Sequence, residues 1–517
     1  MDYLRLPDIL QQFLQASGAT DDGNPLGQAG PHAPWDLLIV DECHNFAPQN
    51  GSRASQRTRM LRDIRFLFEH RVFLSATPHN GKTVCFTGLL ELLDPVRFQL
   101  KTQMDERDHL RLGEVRIRRL KDDINRHSLR PPFAEQLPPE ELTVRLTSQE
   151  IALYSALREY RREGTALLQA SGSASERWVA SFIFSILTKR LLSCPFALAR
   201  TWWRHIEEEP EQETDLLFDL ARTSSHRAED EVRSDSERTT AEEDAARFGG
   251  AWLRRKEDRL QQLIQQVNKA LEALGYDRRT VQDERALSKL AGRSDSKMDA
   301  LIVWVKQNLF TKGGKLRDDE RLIVFTEYKE TLQYLEQRLL QEGFDKNTLN
   351  LLYGGMGASD FEEVQQAFED PAAPVRLLIA TDAASEGINM QECCRWVVHF
   401  DIAWSPTKLQ QRNGRVSRHG QVRDVSVFYF RSNQDEDMEF LFKVAAKVDQ
   451  VKEDLGSVEH VLANSIQRHF EGFTIAEADI DQQIEEERSR SAEKLELGKS
   501  SGAQIVDLTK RARELLE

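Results

Sequence analysis

Four runs of aliphatic, often β-branched residues in this chain stop abruptly at polar or charged side chains. "WDLLIV" runs into Asp41-Glu42, "RVFLSATP" into Ser75-Ala76-Thr77, "RLIVFTE" into Thr326-Glu327 and "RLLIATD" into Thr381-Asp382. A strand with one wet face alternates apolar and polar residues. These near-continuous runs instead predict strands buried on both faces, as in parallel α/β sheets. Parallel strands need helical crossovers, and "KETLQYLEQRLLQEG" (Lys329 to Gly343) has helical spacing and a terminal glycine suited to a cap. In such sheets function gathers at the carboxyl ends of strands. Two runs lie early and two late, so two α/β lobes are expected.

The 517 residues suffice for two to four domains, each with its own core. Between the lobes the pattern changes. Gln149 to Leu198 is helical in spacing, and Glu207 to Asp244 holds fifteen Asp/Glu against four Arg, which reads as a solvated or partly disordered insertion. Trp252 to Leu274 returns to helical spacing, and the charged tail after about Gln450 is helical in pattern. No apolar run approaches the roughly 18 residues of a membrane span, and "MDYLRLPDIL" lacks the features of a secretory signal. Five cysteines with no CxxC pair predict reduced thiols in a cytoplasmic setting. With a net charge of −15, any nucleic-acid contact has to come from a local basic cleft.

Two constellations carry candidate chemistry. Adjacent carboxylates at a strand's end, as at Asp41-Glu42, can hold a hydrated Mg²⁺ with one group and orient an attacking water with the other. The competing reading is a solvated loop or an acidic helix N-terminus. In "SPTKLQQRNGRVSRHGQ" (Ser405 to Gln421), a helix from Thr407 onward places Gln411, Arg415 and Arg418 along one stripe. Two guanidiniums and an amide suit a polyphosphate; a solvated face paired with the acidic run is the alternative.

The order of the motifs goes further than either constellation. "DECH", "SATPHNGK", "FTEY", "ATDAASEGINMQ" and "QQRNGRVSRHGQ" follow one another, together with "VRIRRLKDDI", "LTSQEIALYSAL", "KRLLSCPFAL" and "LLYGGM". Over roughly Asp2 to Gly456 this series resembles superfamily 2 helicases and translocases of the SNF2-like branch. Within bacteria it resembles the SNF2-like helicases of the DISARM anti-phage system and, more distantly, RNA-polymerase-associated translocases. The resemblance implies an α/β fold of two RecA-like parallel-sheet lobes, the first incomplete, with helical SNF2-type insertions and a helical C-terminal tail. The implied boundaries are 1–135 for the partial first lobe, 136–200 for a helical segment, 201–290 for an acidic helical insertion, 291–450 for the second lobe and 451–517 for the tail.

By the same resemblance Asp41 holds Mg²⁺ and Glu42 orients the hydrolytic water. Ser75, Ala76 and Thr77 couple hydrolysis to movement, while Asp382 and "SEGIN" (Ser385 to Asn389) approach the nucleotide, Gly387 permitting close backbone approach. Arg415 and Arg418, with Gln411, correspond to arginine fingers on the γ-phosphate of ATP. The implied partner is nucleic acid, with double-stranded DNA expected, held mainly through its phosphates. Other defence proteins are further implied partners.

One element is missing. The phosphate-cradling pattern G-x-x-x-x-G-K-[ST] does not occur: "HNGKT" has Ala76 where the first glycine belongs, and "LGKSS" has Glu493 there. "DYLRL" resembles family sequence that follows that loop, so the chain is expected to begin midway through lobe one, as a fragment, a misassigned start or half of a split protein. A smaller departure is Phe361, where relatives often carry arginine. Two readings follow: an ATP-dependent nucleic-acid motor completed by a separate or upstream segment, or a non-catalytic relic that keeps the fold for interactions.

Overall fold

The computed structural model describes residues 7–17, 35–48, 55–75, 83–117, 121–128, 131–208, 213–228, 235–256, 259–282, 293, 295–382, 388, 390–451, 455–471 and 475–499. The chain divides into two compact units, one of residues 1–119, 453–464 and 476–517, the other of 120–452 and 465–475.

In the first unit, strand β1 (Trp35–Val40) pairs in parallel with β2 (Phe68–Phe73). Alternate side chains explain the core: Leu38 and Val40 point into a cluster with Phe46, Met60, Leu61, Leu89 and Leu92. Met60 and Leu61 come from the helix Gln56–Ile64, and Leu89 and Leu92 from the helix Thr83–Leu93. The opposite face departs from expectation. Trp35, Leu37 and Ile39 are exposed, Ile39 at 57 %, and so is Val72 beside it. Only its beginning is partly covered, where Phe13 stacks on Trp35 at 6.0 Å and Trp35 Nε1 donates to Ser17 Oγ. Among the described residues this sheet has two strands, and on this face only the helix Pro7–Ala16 reaches it, through Phe13.

The second unit is built on six parallel strands in the order β3-β8-β7-β4-β6-β5. These are β3 (Glu140–Thr143), β4 (Leu322–Thr326), β5 (Leu349–Leu352), β6 (Leu377–Thr381), β7 (Trp396–His399) and β8 (Ser426–Arg431). Every residue of β4, β6 and β7 is buried, as their uninterrupted apolar runs require. The helix after β4, Lys329–Gln341, ends as expected, with Gly343 at φ +98 just beyond it. Strand β3 is an edge strand lying inside a stretch that reads as helical. From β4 the chain fills one side with β5 and β6, then crosses to β7 and β8 on the other. The order therefore reverses around β4, the place where open α/β sheets form a ligand crevice.

Helices dominate the stretch before β4. Ser148–Ser171 and Ala174–Ser193 both begin with reciprocal caps, Thr147 with Glu150 and Ser173 with Glu176. The acidic run is not simply a solvated insertion. It contains the helix Thr214–Ala228 and the beginning of the helix Asp235–Lys256, and the two pack through small buried residues such as Ala221, Ser225, Ala245 and Ala246. Its acids are partly used inward: Glu242 Oε2 accepts from buried Arg190 at 3.0 Å, and Glu243 pairs with Arg204. Glu213, Asp215, Asp219 and Glu237 stay exposed while the small residues make the seam.

The helix Asp235–Lys256 also crosses the helix Pro195–His205 closely. A Cβ on Gly250 would lie 1.9 Å from the carbonyl oxygen of His205, whereas one on Gly249 would clash with side-chain atoms alone, Cδ1 of Ile183 at 2.0 Å and its Cγ1 at 2.9 Å. Gly250→Ala is expected to destabilise the protein by about 1–3 kcal/mol through overpacking. Gly249→Ala should be milder, because the end of the Ile183 side chain can shift where the His205 carbonyl cannot. Chemical denaturation midpoints of the two variants check the difference.

Candidate functional site

In the first unit the end of β1 is shaped by an unusual backbone. Glu42 has φ 47 and ψ 47, the only positive-φ non-glycine residue among those described. Such a conformation costs about 1–2 kcal/mol for an L-residue and is found where the surroundings enforce it. Enforcement here is visible. The Glu42 N–H donates to Asp41 Oδ1 at 2.9 Å, the Cys43 N–H to Leu74 O at 2.9 Å, and the Leu74 N–H to Val40 O at 2.8 Å. His44 Nδ1 lies 3.0 Å from Ser75 Oγ and 3.3 Å from Glu42 Oε2. "DECH" and the serine of "SAT" are thus joined through one imidazole, with Asp41 and Glu42 exposed. Burial, then the charge of Glu42, pushes the Cys43 thiol up to about 12, so it is no nucleophile at neutral pH. Ala76 and Thr77 lie outside the described residues.

In the second unit the carboxyl ends of β4, β6 and β7 place Thr326-Glu327, Thr381-Asp382 and Phe400-Asp401 at the reversal of strand order. The helix Pro406–Gly414, capped by Ser405, brings Arg412 to them. Arg412 is buried; its Nε and Nη2 grip both oxygens of Asp382 (Nη2···Oδ2 3.0 Å), and Nη1 donates to Asp401 O at 2.8 Å. Burial by itself would lower the guanidinium's pKa, but Asp382 and Asp401 outweigh it and raise it. Asp401 in turn accepts from Thr326 Oγ1 (2.6 Å), Ser193 Oγ (2.9 Å) and the Glu327 N–H (2.8 Å). Asn413 completes the seam by bonding His399 and Asp449. Asp382 is therefore committed to Arg412, a partner that the sequence reading did not assign it.

The expected stripe is revised as well. The helix stops at Gly414, so Gln411 lies in its last turn, whereas Arg415 is the cap residue and exposed Arg418 sits in the turn beyond. The two arginines share a tight turn rather than a helix face. It is held by Met390 N–H to Arg415 O (3.1 Å) and Ser417 N–H to Asn413 O (2.8 Å). Gly387 lies outside the described residues. Arg412 was missed, yet it was signalled: Leu409, Arg412, Asn413 and Val416 recur at i, i+3, i+4 and i+7 and are all buried. An arginine in a buried stripe demands a buried anion.

Around Glu327 the helices before β4 meet the sheet. Lys189 reaches Glu327 (3.6 Å) and the face of Trp404 (5.0 Å), and Trp404 stacks on Phe470 at 3.9 Å. Beside it, Arg190 lies between Glu330 (3.0 Å), Glu242 and the ring of Tyr328 (3.8 Å). Burial would raise the Glu327 pKa, but Lys189, Lys408 and Arg412 prevail and hold it at about 2.

Residues 297–420 match the family described as Helicase conserved C-terminal domain. The stretch that carries this match includes β4 to β7 and the arginine turn. The chain is similar to the uncharacterized ATP-dependent helicase YqhH of Bacillus subtilis, 30 % identical over 153 residues, which are 30 % of this chain and 26 % of that protein. It is also similar to the RNA polymerase-associated protein RapA of Vibrio cholerae, 26 % identical over 28 % of this chain and 14 % of the relative. The SNF2 domain-containing protein CLASSY 4 of Arabidopsis thaliana is 29 % identical over 21 % of this chain and 10 % of its own length. The matches thus span about a quarter or less of each relative. They support the resemblance to SNF2-like helicases of superfamily 2.

Two expectations follow from the buried charges. Arg412→Met leaves Asp382 and Asp401 without their cation and should cost about 3–5 kcal/mol, read from urea unfolding. Glu327 has a folded pKa of about 2, below the roughly 4.3 of an unfolded glutamate. Its contribution is therefore complete above the unfolded value and is lost as pH falls toward the folded one. Glu327→Gln should lower the melting temperature at neutral pH, and the gap from wild type should close between about pH 5 and pH 2.

Proposed function

We propose that this chain carries most of an SNF2-like, superfamily 2 motor that hydrolyses ATP and moves on nucleic acid, double-stranded DNA being the expected track. The observation that carries the proposal is the arginine turn within the helicase C-terminal match, in a chain that also holds two carboxylates posed at a strand end beside Ser75. The sequence resemblance also supports a cytoplasmic role in bacterial anti-phage defence, with other defence proteins as partners.

Asp41 fits Mg²⁺. Its carboxylate is exposed, oriented by the Glu42 N–H, and belongs to no group of three or more potential ligands among the described residues. Mg²⁺ is usually held by one or two carboxylates plus waters and substrate phosphates, so one such group is the right number. Bound there, the ion would neutralise charge on the phosphates. Glu42 orients the attacking water, and its left-handed backbone turns the side chain toward His44 and Ser75. Through that imidazole, the state of Glu42 reaches the segment expected to couple hydrolysis to movement. Arg415 and Arg418 stabilise the charge that develops on the γ-phosphate, with Gln411 beside them. Asp382 acts at a distance, by holding the arginine-bearing helix through Arg412; by the sequence resemblance, Gly387 would approach the nucleotide.

The sequence contains no G-x-x-x-x-G-K-[ST] cradle, and we assign that part to a segment outside this sequence, in the same or a separate chain. The same absence favours the second reading, an interaction subunit without catalysis. ATP hydrolysis by the native protein, stimulated by DNA, separates the two; no hydrolysis under any nucleic-acid condition would favour the subunit.

In the hydrolysing protein, Glu42→Gln should abolish turnover and retain ATP binding, since the backbone and the Mg²⁺ ligand are kept. Arg415→Ala should lower kcat on the order of 10³-fold with a much smaller change in ATP affinity, and lysine should rescue poorly. Steady-state rates and nucleotide titrations check both. Wild-type turnover in the arginine variants would remove their assignment.

A further inference from the structure

The turn bearing Arg415 and Arg418 is gripped by a segment 296 residues earlier. Lys121, the first residue of the helix Lys121–His127, donates from Nζ to the carbonyl oxygen of Ser417 and to Ser417 Oγ at 3.1 Å. Its ammonium also lies 5.8 Å from the centroid of the Phe133 ring, which meets His419 edge-on at 5.9 Å. The Gly420 N–H donates to Pro132 O at 3.5 Å. Asn125 fixes the backbone of Phe133 from both sides, donating to its carbonyl at 3.0 Å and accepting its N–H at 3.2 Å.

Ser417 stands between the two arginines, just past the end of the helix Pro406–Gly414. Its carbonyl lies beyond the helical ladder, and an ammonium donating to it makes a charge-assisted hydrogen bond, stronger than a neutral one. Lys121 is itself exposed. As an exposed residue it adds little to the buried core, and two of its hydrogen bonds fall on Ser417. The family resemblance singled out "VRIRRLKDDI" as a motif without giving its lysine a task.

We propose that Lys121 is a positioning residue that sets the direction of Arg415 and Arg418 by holding the Ser417 carbonyl, with Pro132 and Phe133 bracing the far side of the turn. The catalytic consequence rests on the proposed role of those arginines; the structural half does not.

Hydrogen–deuterium exchange on the 517-residue chain tests the structural half. In Lys121→Met, amides of residues 416–421 should exchange about tenfold faster, the effect of losing a hydrogen bond from a charged donor. Strands β4, β6 and β7 and the melting temperature should stay as in wild type, and Lys121→Arg should show a smaller change. An unaltered turn, or faster exchange spread through the sheet, would overturn the proposal. In the ATP-hydrolysing native protein, Lys121→Met should lower kcat with KM nearly constant and add nothing to Arg415→Ala. Impaired arginine variants alongside a normal Lys121→Met would end the positioning role. Normal turnover in the arginine variants would end the functional reading instead, leaving the exchange result to judge the grip.

Discussion

A guanidinium buried without anions is among the most costly things a protein interior can contain, and the second unit is arranged around avoiding it. Arg412 enters at the reversal of strand order and is met by Asp382 from the end of β6 and Asp401 from the end of β7. Once those anions are drawn inward, their remaining lone pairs also need donors. Thr326, Ser193 and the Glu327 N–H supply them, which ties β4 and the helix Ala174–Ser193 into the same knot. The helix carrying Arg412 is then fixed to the sheet, and the turn that follows it starts from a defined place. The position of Arg415 and Arg418 is, in this sense, a by-product of satisfying a neighbour.

The helices preceding β4 are attached by the same logic. Lys189 and Arg190 are consecutive, and each finds acid at the end of β4 or in the helix after it. Arg190 also takes Glu242 from the acidic run. A segment that looks like surplus charge in the sequence is therefore wired to the region where the sheet presents its functional groups.

Much of this was legible beforehand. Uninterrupted apolar runs gave β4 and β6 with both faces covered, and the polar residues that stop each run do cluster at strand ends. The helix Lys329–Gln341 and its glycine followed from spacing alone. Less legible was whatever depended on long-range partners. Strand β3 is four residues long and owes its existence to pairing with β8, some 290 residues away. The exposed face of β1 has the same local sequence character as a buried one; only the number of neighbouring strands and helices distinguishes them. The arginine stripe failed because periodicity says nothing about where a helix stops. Arg412 escaped notice for a related reason: arginine is normally read as surface, and only the burial of Leu409, Asn413 and Val416 around it shows otherwise.

Position 42 has a different significance. Glycine or asparagine would enter its left-handed backbone with less strain than glutamate, so folding and chemistry pull this one site in opposite directions. A lineage that stopped using the carboxylate would have every reason to relax it, and would do so here before losing residues whose burial also supports the core. The glutamate therefore works as a gauge of use: its persistence among close relatives, set against replacement by glycine or asparagine, would date the point at which a working engine became an idle scaffold.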